Sequence, residues 1–425
     1  MSTGISDPHS SPAKPGLVLF FGMVRRGEFE TLEKRGLPLG ILIDTNSKAR
    51  LGDVSRFVMV ERFDFSRPLP ELIAKVREIQ ERFGIACLYN VIEFYVLQAA
   101  QVAAALGLPG LSPASARLCL DKNLMRQRFA QRLGPGAGAR FHPIHSEAEL
   151  LRYAQELGYP CFLQPANVSA SMWATRNTNP EMLLANYRTI VNEVPKYYER
   201  LGKKGQALSV VLAEYLEGKN VSIDCIMDRS GQVYLTPPVE VLTGKDLGLD
   251  DYHHFARLLP PRLNQKEEQT LERLAVAGVQ ALEMTTCAAH VEFIGRRLGE
   301  IGARPGGNRP RIFQIAHGLD MLYAYYQVLR GEEPSLRGDG HRAAAIVTPF
   351  APRDGKFRSL RHLERVPQLP GYLYHEIRAQ PGQAIGLSRN GYRAGLYVEL
   401  LSDRVEEVRR SVDEIASWTD LYDLD

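Results

Sequence analysis

Apolar and polar positions along this chain group into blocks that switch between the strand and the helix period. "LVLFFGMV" (17–24) is an unbroken apolar run of buried-strand length, followed by the helical pattern "GEFETLEKRG" and a second run, "LPLGILIDT". The alternation continues with "RFVMVER", "LPELIAKVREIQERFG", "IACLYNV" and a helix through "VLQAAQVAAALG". Strand alternating with helix predicts a small parallel sheet with crossover helices over residues 16–115. The first strand is not followed by GxGxxG, so a dinucleotide-binding reading has little to stand on.

The pattern then changes. "SPASARLCLDKNLMRQRFAQRLG" predicts one Ser-capped helix carrying Asp121 and Lys122, with "GPGAGARF" as its exit. Next come the helix "SEAELLRYAQELG", the strand "YPCFLQPA", the polar loop "NVSASMWATRNTN", a long charged helix near 180–201, and the strands "LSVVLAEYLEG" and "NVSIDCIMDRSGQVYL". Residues 266–285 and 317–331 read as further helices. From about 342, short β segments precede a last helix, "RVEEVRRSVDEIASW". The whole is α/β followed by α+β.

"HVEFIGRRLGEIGARPGGNRP" (290–310) carries the sharpest chemistry. It reads as two short apolar strands, each with one acid, Glu292 and Glu300. Burying an unpaired carboxylate costs several kcal/mol, so something cationic should face them. Two carboxylates on adjacent strands suit Mg²⁺, which is commonly held by one or two carboxylates plus substrate phosphates. Arg304 offers a planar fork for a phosphate or acyl-phosphate oxygen, and Gly306 and Gly307 let backbone N–H groups approach an anion. The plainer alternative is a hairpin whose acids pair with Arg296, Arg297 or Arg304, the glycine pair being a simple turn.

Composition narrows the class without deciding it. The 425 residues are 44% hydrophobic, and 52 basic residues against 49 acids leave a net charge of +3, which gives nucleic-acid binding no support. Five single cysteines without CxxC spacing suggest reduced core packing, and no apolar segment reaches membrane-spanning length. The polar, Pro/Ser-rich start, residues 1–15, has no signal-peptide character and is expected to be disordered. These features favour a cytoplasmic protein that binds neither nucleic acid nor membrane.

"EFIGRRLGEIGARPGG", preceded in order by "LDKNLMRQRF", "GYPCFLQPAN" and "VLAEYLEGKNVSID", resembles the ATP-grasp superfamily. The likeness is to its carboxylate-amine ligases, the branch that includes L-amino acid ligases and is related to biotin carboxylase. It implies a Rossmann-like pre-ATP-grasp domain (16–115), a two-lobed ATP-grasp body (116–335, mobile lid lobe about 150–215) and a small C-terminal β-rich domain (336–425). It also implies ATP and Mg²⁺ as cofactors, small-molecule carboxylate and amine substrates, and admits a homodimer.

Residue by residue, the resemblance implies that Lys122 reaches the ATP phosphates and that Glu214, Tyr215 and Leu216 form the hinge strand reading adenine. Gln164 and Asn220 join the nucleotide contacts. Glu292 and Glu300 would bind Mg²⁺, Arg304 would stabilise the transferring phosphoryl group and the carboxylate substrate, and residues 167–174 would close over the phosphates. The implied function is amide or peptide bond formation through an acyl phosphate, on amino acid-like substrates.

Three positions depart from the family pattern. Gln164 stands where lysine is usual, which removes a phosphate-contacting charge, and Arg176 is a candidate to replace it. "NVSASMWA" has no glycine where the closing loop is usually glycine-rich, and Gly302 stands where many members have a third metal ligand, asparagine. The first two motivate an alternative function, a catalytically weakened ATP-grasp protein that binds nucleotide or ligand as a partner or regulator. In the substrate segment "GKDLGLDDYHHFARLLPPRL", His254 and Arg257 take the places of a usual glutamate and histidine, making the pocket more positive; His253 and His254 as surface loop residues is the other reading.

Overall fold

The computed structural model describes residues 16–23, 27–47, 54–168, 171–201, 206–249 and 251–425. The expected disorder of residues 1–15 lies outside these. The chain divides into two compact units, Met1–Gly110 and Leu111–Asp425.

In the first unit the apolar runs form a four-stranded parallel sheet, in the order Met59–Phe63, Leu39–Asp44, Leu17–Gly22, Ile85–Tyr89. The two inner strands read as continuous apolar runs because they are buried along their whole length. The helices Leu69–Phe83 and Val96–Leu106 follow the third and fourth strands. The helical pattern after the first strand contracts to one turn, Glu30–Glu33.

The second unit opens with two helices where the sequence pattern predicts one: Pro113–Leu120 and Lys122–Leu133. The break falls at Asp121, whose backbone is extended and whose carboxylate accepts the N–H groups of Asn123 and Leu124. An aspartate that can cap a new helix competes with continuing the old one. As a result Lys122 sits at the first position of its helix.

A four-stranded antiparallel sheet follows, ordered Phe141–Ile144, Val210–Glu214, Cys161–Pro165, Thr175–Asn177. The helices Glu147–Leu157 and Pro180–Arg200 pack on it through a core that includes Leu150, Leu163, Ile190 and Leu212. The larger sheet has nine strands, and from one edge runs Arg297–Gly302, Cys287–Ile294, Asn220–Met227, Val239–Thr243, His254–Leu259, Ala343–Val347, Leu396–Ser402, Tyr372–Ile377, with Val233–Leu235 paired to Asn220–Met227. The β segments after residue 342 thus extend the sheet that carries the candidate site, and the helix Val405–Ser417 contributes Val408, Val412 and Ile415 to the core beneath them. A helix absent from the sequence reading, Arg309–His317, follows the glycine pair.

The helix Gln265–Ala281 packs against the edge hairpin, and Gly278 marks the contact: a Cβ there would lie 2.9 Å from Ile301 Cδ1 and 3.2 Å from Leu298 Cδ1. Overpacking of this kind typically costs about 1–3 kcal/mol. Gly278→Val is therefore expected to lower the thermal midpoint and to displace the strand that carries Glu300, read by differential scanning calorimetry together with nucleotide affinity.

Candidate functional site

The hairpin register sets the site. Glu292 and Glu300 are direct Cα partners on the strands Cys287–Ile294 and Arg297–Gly302, so both side chains leave the same face. They line an open cleft together with Arg126, Phe162, Gln164, Glu214, Tyr215, Leu216, Asn220, His254 and others. The smaller sheet supplies one wall and the edge of the larger sheet the other.

Each acid has a cation. Lys122, buried at the start of its helix, places Nζ 3.0 Å from Glu300 Oε1 and donates to the Val168 carbonyl at 3.0 Å. Glu292 accepts from His290 Nε2 at 3.0 Å, and His290 Nδ1 lies 2.6 Å from Asp224 Oδ1. Burial opposes charge on His290, but the Asp224 and Glu292 carboxylates, one at each ring nitrogen, outweigh it and raise its pKa. Burial likewise works against the Glu292 carboxylate, yet the hydrogen bond and charge of His290, with Arg309 behind, hold it well below the usual range. Of the hairpin arginines in the plainer reading, Arg297 pairs with Glu214 and not with these acids.

Asp224 is fully buried, and its second oxygen accepts the Gly306 N–H at 2.6 Å. A Cβ on Gly306 would press on the His290 ring and come within 2.7 Å of the Arg309 side chain, so only glycine fits there. Arg309 is buried as well; it donates to Ser222 Oγ and the Gly307 carbonyl, each at 3.0 Å, while its Nη2 has no partner. Arg304 begins this loop, with Nη1 3.3 Å from the Pro305 carbonyl.

At the other end of the cleft, Glu214 closes its strand. It accepts from the Arg140 backbone N–H at 2.9 Å, from Arg140 Nε at 3.1 Å, and from Arg297. Burial would raise its pKa, but these donors outweigh it and keep the carboxylate charged. Tyr215 lies between Arg176 and Lys245, 5.1 and 4.7 Å from its ring centre, and its buried hydroxyl has no partner. Leu216 and Asn220 line the same end. Gln164 is buried on the strand Cys161–Pro165 and faces the cleft. Of the loop 167–174, Ser169 and Ala170 lie outside the described residues.

The histidine pair is not a surface loop. His253 is buried, its ring 4.3 Å from that of Phe350, and His254 opens the strand His254–Leu259 and lines the cleft. Burial, aided by Arg257 and Arg309, pushes the His254 pKa far down and keeps the ring neutral. Arg257 is half-buried, with Nη1 donating to the His254 carbonyl at 2.9 Å and to Thr348 Oγ1 at 2.6 Å. Its Nε is enclosed without a partner, and burial lowers its pKa to about 9.

The hairpin thus brings together Lys122, Glu292 and Glu300, with Gln164, Glu214, Tyr215, Leu216, Asn220 and His254 around the same cleft, while Gly306 gives its N–H to Asp224 and Gly307 its carbonyl to Arg309. Sequence reasoning passed over Asp224, His290, Arg309 and Arg126. Asp224 and His290 each interrupt an apolar strand, and Arg126 stands four residues after Lys122 on one helix; those were the available signals. Among the described residues no group of three or more His, Cys, Asp or Glu side chains could by itself hold a metal ion.

Comparison with known proteins agrees with this architecture. The ATP-grasp domain family matches residues 157–304. The D-alanine--D-alanine ligase of Halothermothrix orenii is 26% identical over 221 residues, which are 46% of this chain and 57% of that enzyme, and that of Geobacillus thermodenitrificans is 23% identical over 210 residues, covering 44% and 51%. The chain therefore spans little more than half the length of these relatives. Among solved structures, an L-amino acid ligase from Bacillus licheniformis superposes with a TM-score of 0.82 at 18% identity, covering 97% of this chain and 99% of that one. The N5-carboxyaminoimidazole ribonucleotide synthetase from Thermotoga maritima gives 0.68 at 15% identity, covering 96% and 99%. Residues 157–304 thus match the ATP-grasp domain, and the chain has the ATP-grasp fold. Its five cysteines are free and buried, and no described helix is long and apolar enough to cross a membrane.

The Asp224–His290–Glu292 chain yields a test of its own. Asp224→Asn keeps the shape and removes the charge that His290 and the Gly306 N–H both use. Hydrogen bonds to charged groups contribute about 1.5–3 kcal/mol, so the thermal midpoint should fall by several degrees. A midpoint equal to wild type would show that this chain holds nothing together.

Proposed function

We propose that this protein is an ATP-dependent ligase that joins a carboxylate to an amine through an acyl phosphate, acting on amino acid-like substrates. The observation that carries the reading is the pairing of Glu292 with Glu300 on one face of the cleft, each already met by a cation. The donor set fits Mg²⁺: two carboxylates line the cleft, and the unsatisfied Nη1 of Arg126 beside them suits a phosphate oxygen. Bound there, Mg²⁺ would neutralise charge on the transferring phosphoryl group.

The side chains supply the rest. Lys122 can exchange Glu300 for a phosphate oxygen, and the hinge residues Glu214, Tyr215 and Leu216 with Asn220 hold the adenine end. Arg304 stabilises the phosphoryl group as a substrate carboxylate oxygen attacks it and ADP leaves, while the Gly306 N–H stays with Asp224. The amine nitrogen then attacks the acyl carbon, phosphate departs, and the nitrogen gives up a proton. His290 fixes Glu292 from behind. An acyl phosphate hydrolyses in water, so closure of the smaller sheet over the cleft protects it. The substrates are small molecules, and a homodimer and a cytoplasmic location belong to the same reading.

Arg257 extends the proposal to substrate charge. Its fork meets only a carbonyl and a hydroxyl, with Nε unused, beside a neutral His254. An enclosed guanidinium without a carboxylate favours an anion, so the acid or the amine should bring a second anionic group.

A matrix of carboxylic acids against amines, read by phosphate release and product mass, tests the activity. Glu292→Gln and Glu300→Gln should each abolish ligation while the protein stays folded by circular dichroism; near-normal turnover in either would remove the metal assignment. ATP binding with no phosphate release for any pair would leave the alternative, a nucleotide-binding partner or regulator. For an acidic substrate, Arg257→Ala should raise KM by roughly 10- to 100-fold and leave the KM for ATP unchanged.

A further inference from the structure

Lys122 and Arg126 stand four residues apart on the helix Lys122–Leu133, so their side chains leave the same face. Lys122 has a carboxylate at 3.0 Å. Arg126 has none to itself. It is 8% exposed, lines the cleft with Glu300 and Gln164, and its Nη1 is enclosed without a hydrogen-bond partner. Burial lowers its pKa to about 10, and the nearby Glu300, already engaged by Lys122, offsets only part of that. Enclosing a guanidinium this way is unfavourable in the free protein, and an apolar side chain of similar length would avoid the cost.

Across the cleft, Gln164 presents a neutral amide. A bound triphosphate with about four negative charges needs more positive charge than Lys122 alone supplies. Arg176 is exposed and rests on the Tyr215 ring at the hinge end, on the strand Thr175–Asn177. Arg126 is the buried one.

We infer that Arg126 is a phosphate-binding residue: its guanidinium takes oxygens of the ATP phosphate chain beside Lys122 and supplies the charge that Gln164 withholds. The inference rests on the nucleotide-binding part of the proposed function. When MgATP arrives, Glu300 turns to the metal and both helix cations are released to the phosphates, so the cost of burying Arg126 in the free protein is recovered on binding.

Isothermal titration calorimetry with adenosine, AMP, ADP and the β,γ-imido analogue of ATP, with Mg²⁺ present, tests this directly. Arg126→Met should bind the triphosphate about 10- to 100-fold more weakly, ADP less affected, adenosine equal to wild type. The thermal midpoint of the free variant should equal or exceed that of wild type. Arg126→Lys should retain part of the affinity, and Gln164→Lys in the Arg126→Met background should restore most of it. Equal triphosphate affinity in Arg126→Met overturns the assignment, as does an equal loss for adenosine and triphosphate, which would mark a structural role. If Arg126→Met does not fold, Arg126→Gln is read against the same outcomes. Wild type that binds none of the four ligands overturns the nucleotide reading and this inference together; wild type that binds them with a silent Arg126→Met overturns this inference alone.

Discussion

Two carboxylates placed opposite one another on antiparallel strands repel, and the structure around this hairpin is organised by the need to answer that repulsion. Lys122 comes from a separate helix to meet Glu300, and His290, braced by Asp224, meets Glu292 from within its own strand. Both answers require elements distant in sequence to be in register. The strand Asn220–Met227 must lie beside Cys287–Ile294 with Asp224 level with His290, which is the pairing observed. The helix break at Asp121 puts Lys122 where it can reach. A single electrostatic constraint therefore ties together the helix start, the central strand and the edge hairpin.

The same constraint explains the loop that follows. With Asp224 already between His290 and the Gly306 N–H, the backbone at Gly306 is drawn against the sheet, and a side chain there has no room. Asn308 takes a left-handed conformation, φ 63°, and turns the chain into the helix Arg309–His317, which seats Arg309 behind the acids. The glycine pair is unequal: Gly306 is sterically required, whereas Gly307 has open space around its Cα and contributes a carbonyl to Arg309.

Much of this was legible in the sequence. Continuous apolar runs marked the buried strands of the parallel sheet, and the acids in "HVEFIGRRLGEIG" fell opposite each other as the hairpin pattern predicted. What was not legible depends on contacts between distant segments. The helix break at Asp121 looks like an ordinary helical aspartate until the Lys122 backbone N–H is seen bonded to the Ala166 carbonyl. Arg309, as one arginine in a Pro/Arg-rich turn, reads as solvated, and only its place under Ser222 buries it. The helix Arg309–His317 was missed because two prolines and a glycine pair near its start read as loop, although proline in the first turn costs a helix nothing.

Glu214 ends a strand of the smaller sheet, and Arg297 begins the edge strand of the larger one, so their ion pair spans the cleft at its hinge end. At the Val168 end the smaller sheet's side meets Lys122 through a carbonyl. The two walls are thus tied by charge at one end of the cleft, like scissor blades at their rivet, and an opening that keeps the Glu214–Arg297 pair is widest at the opposite end.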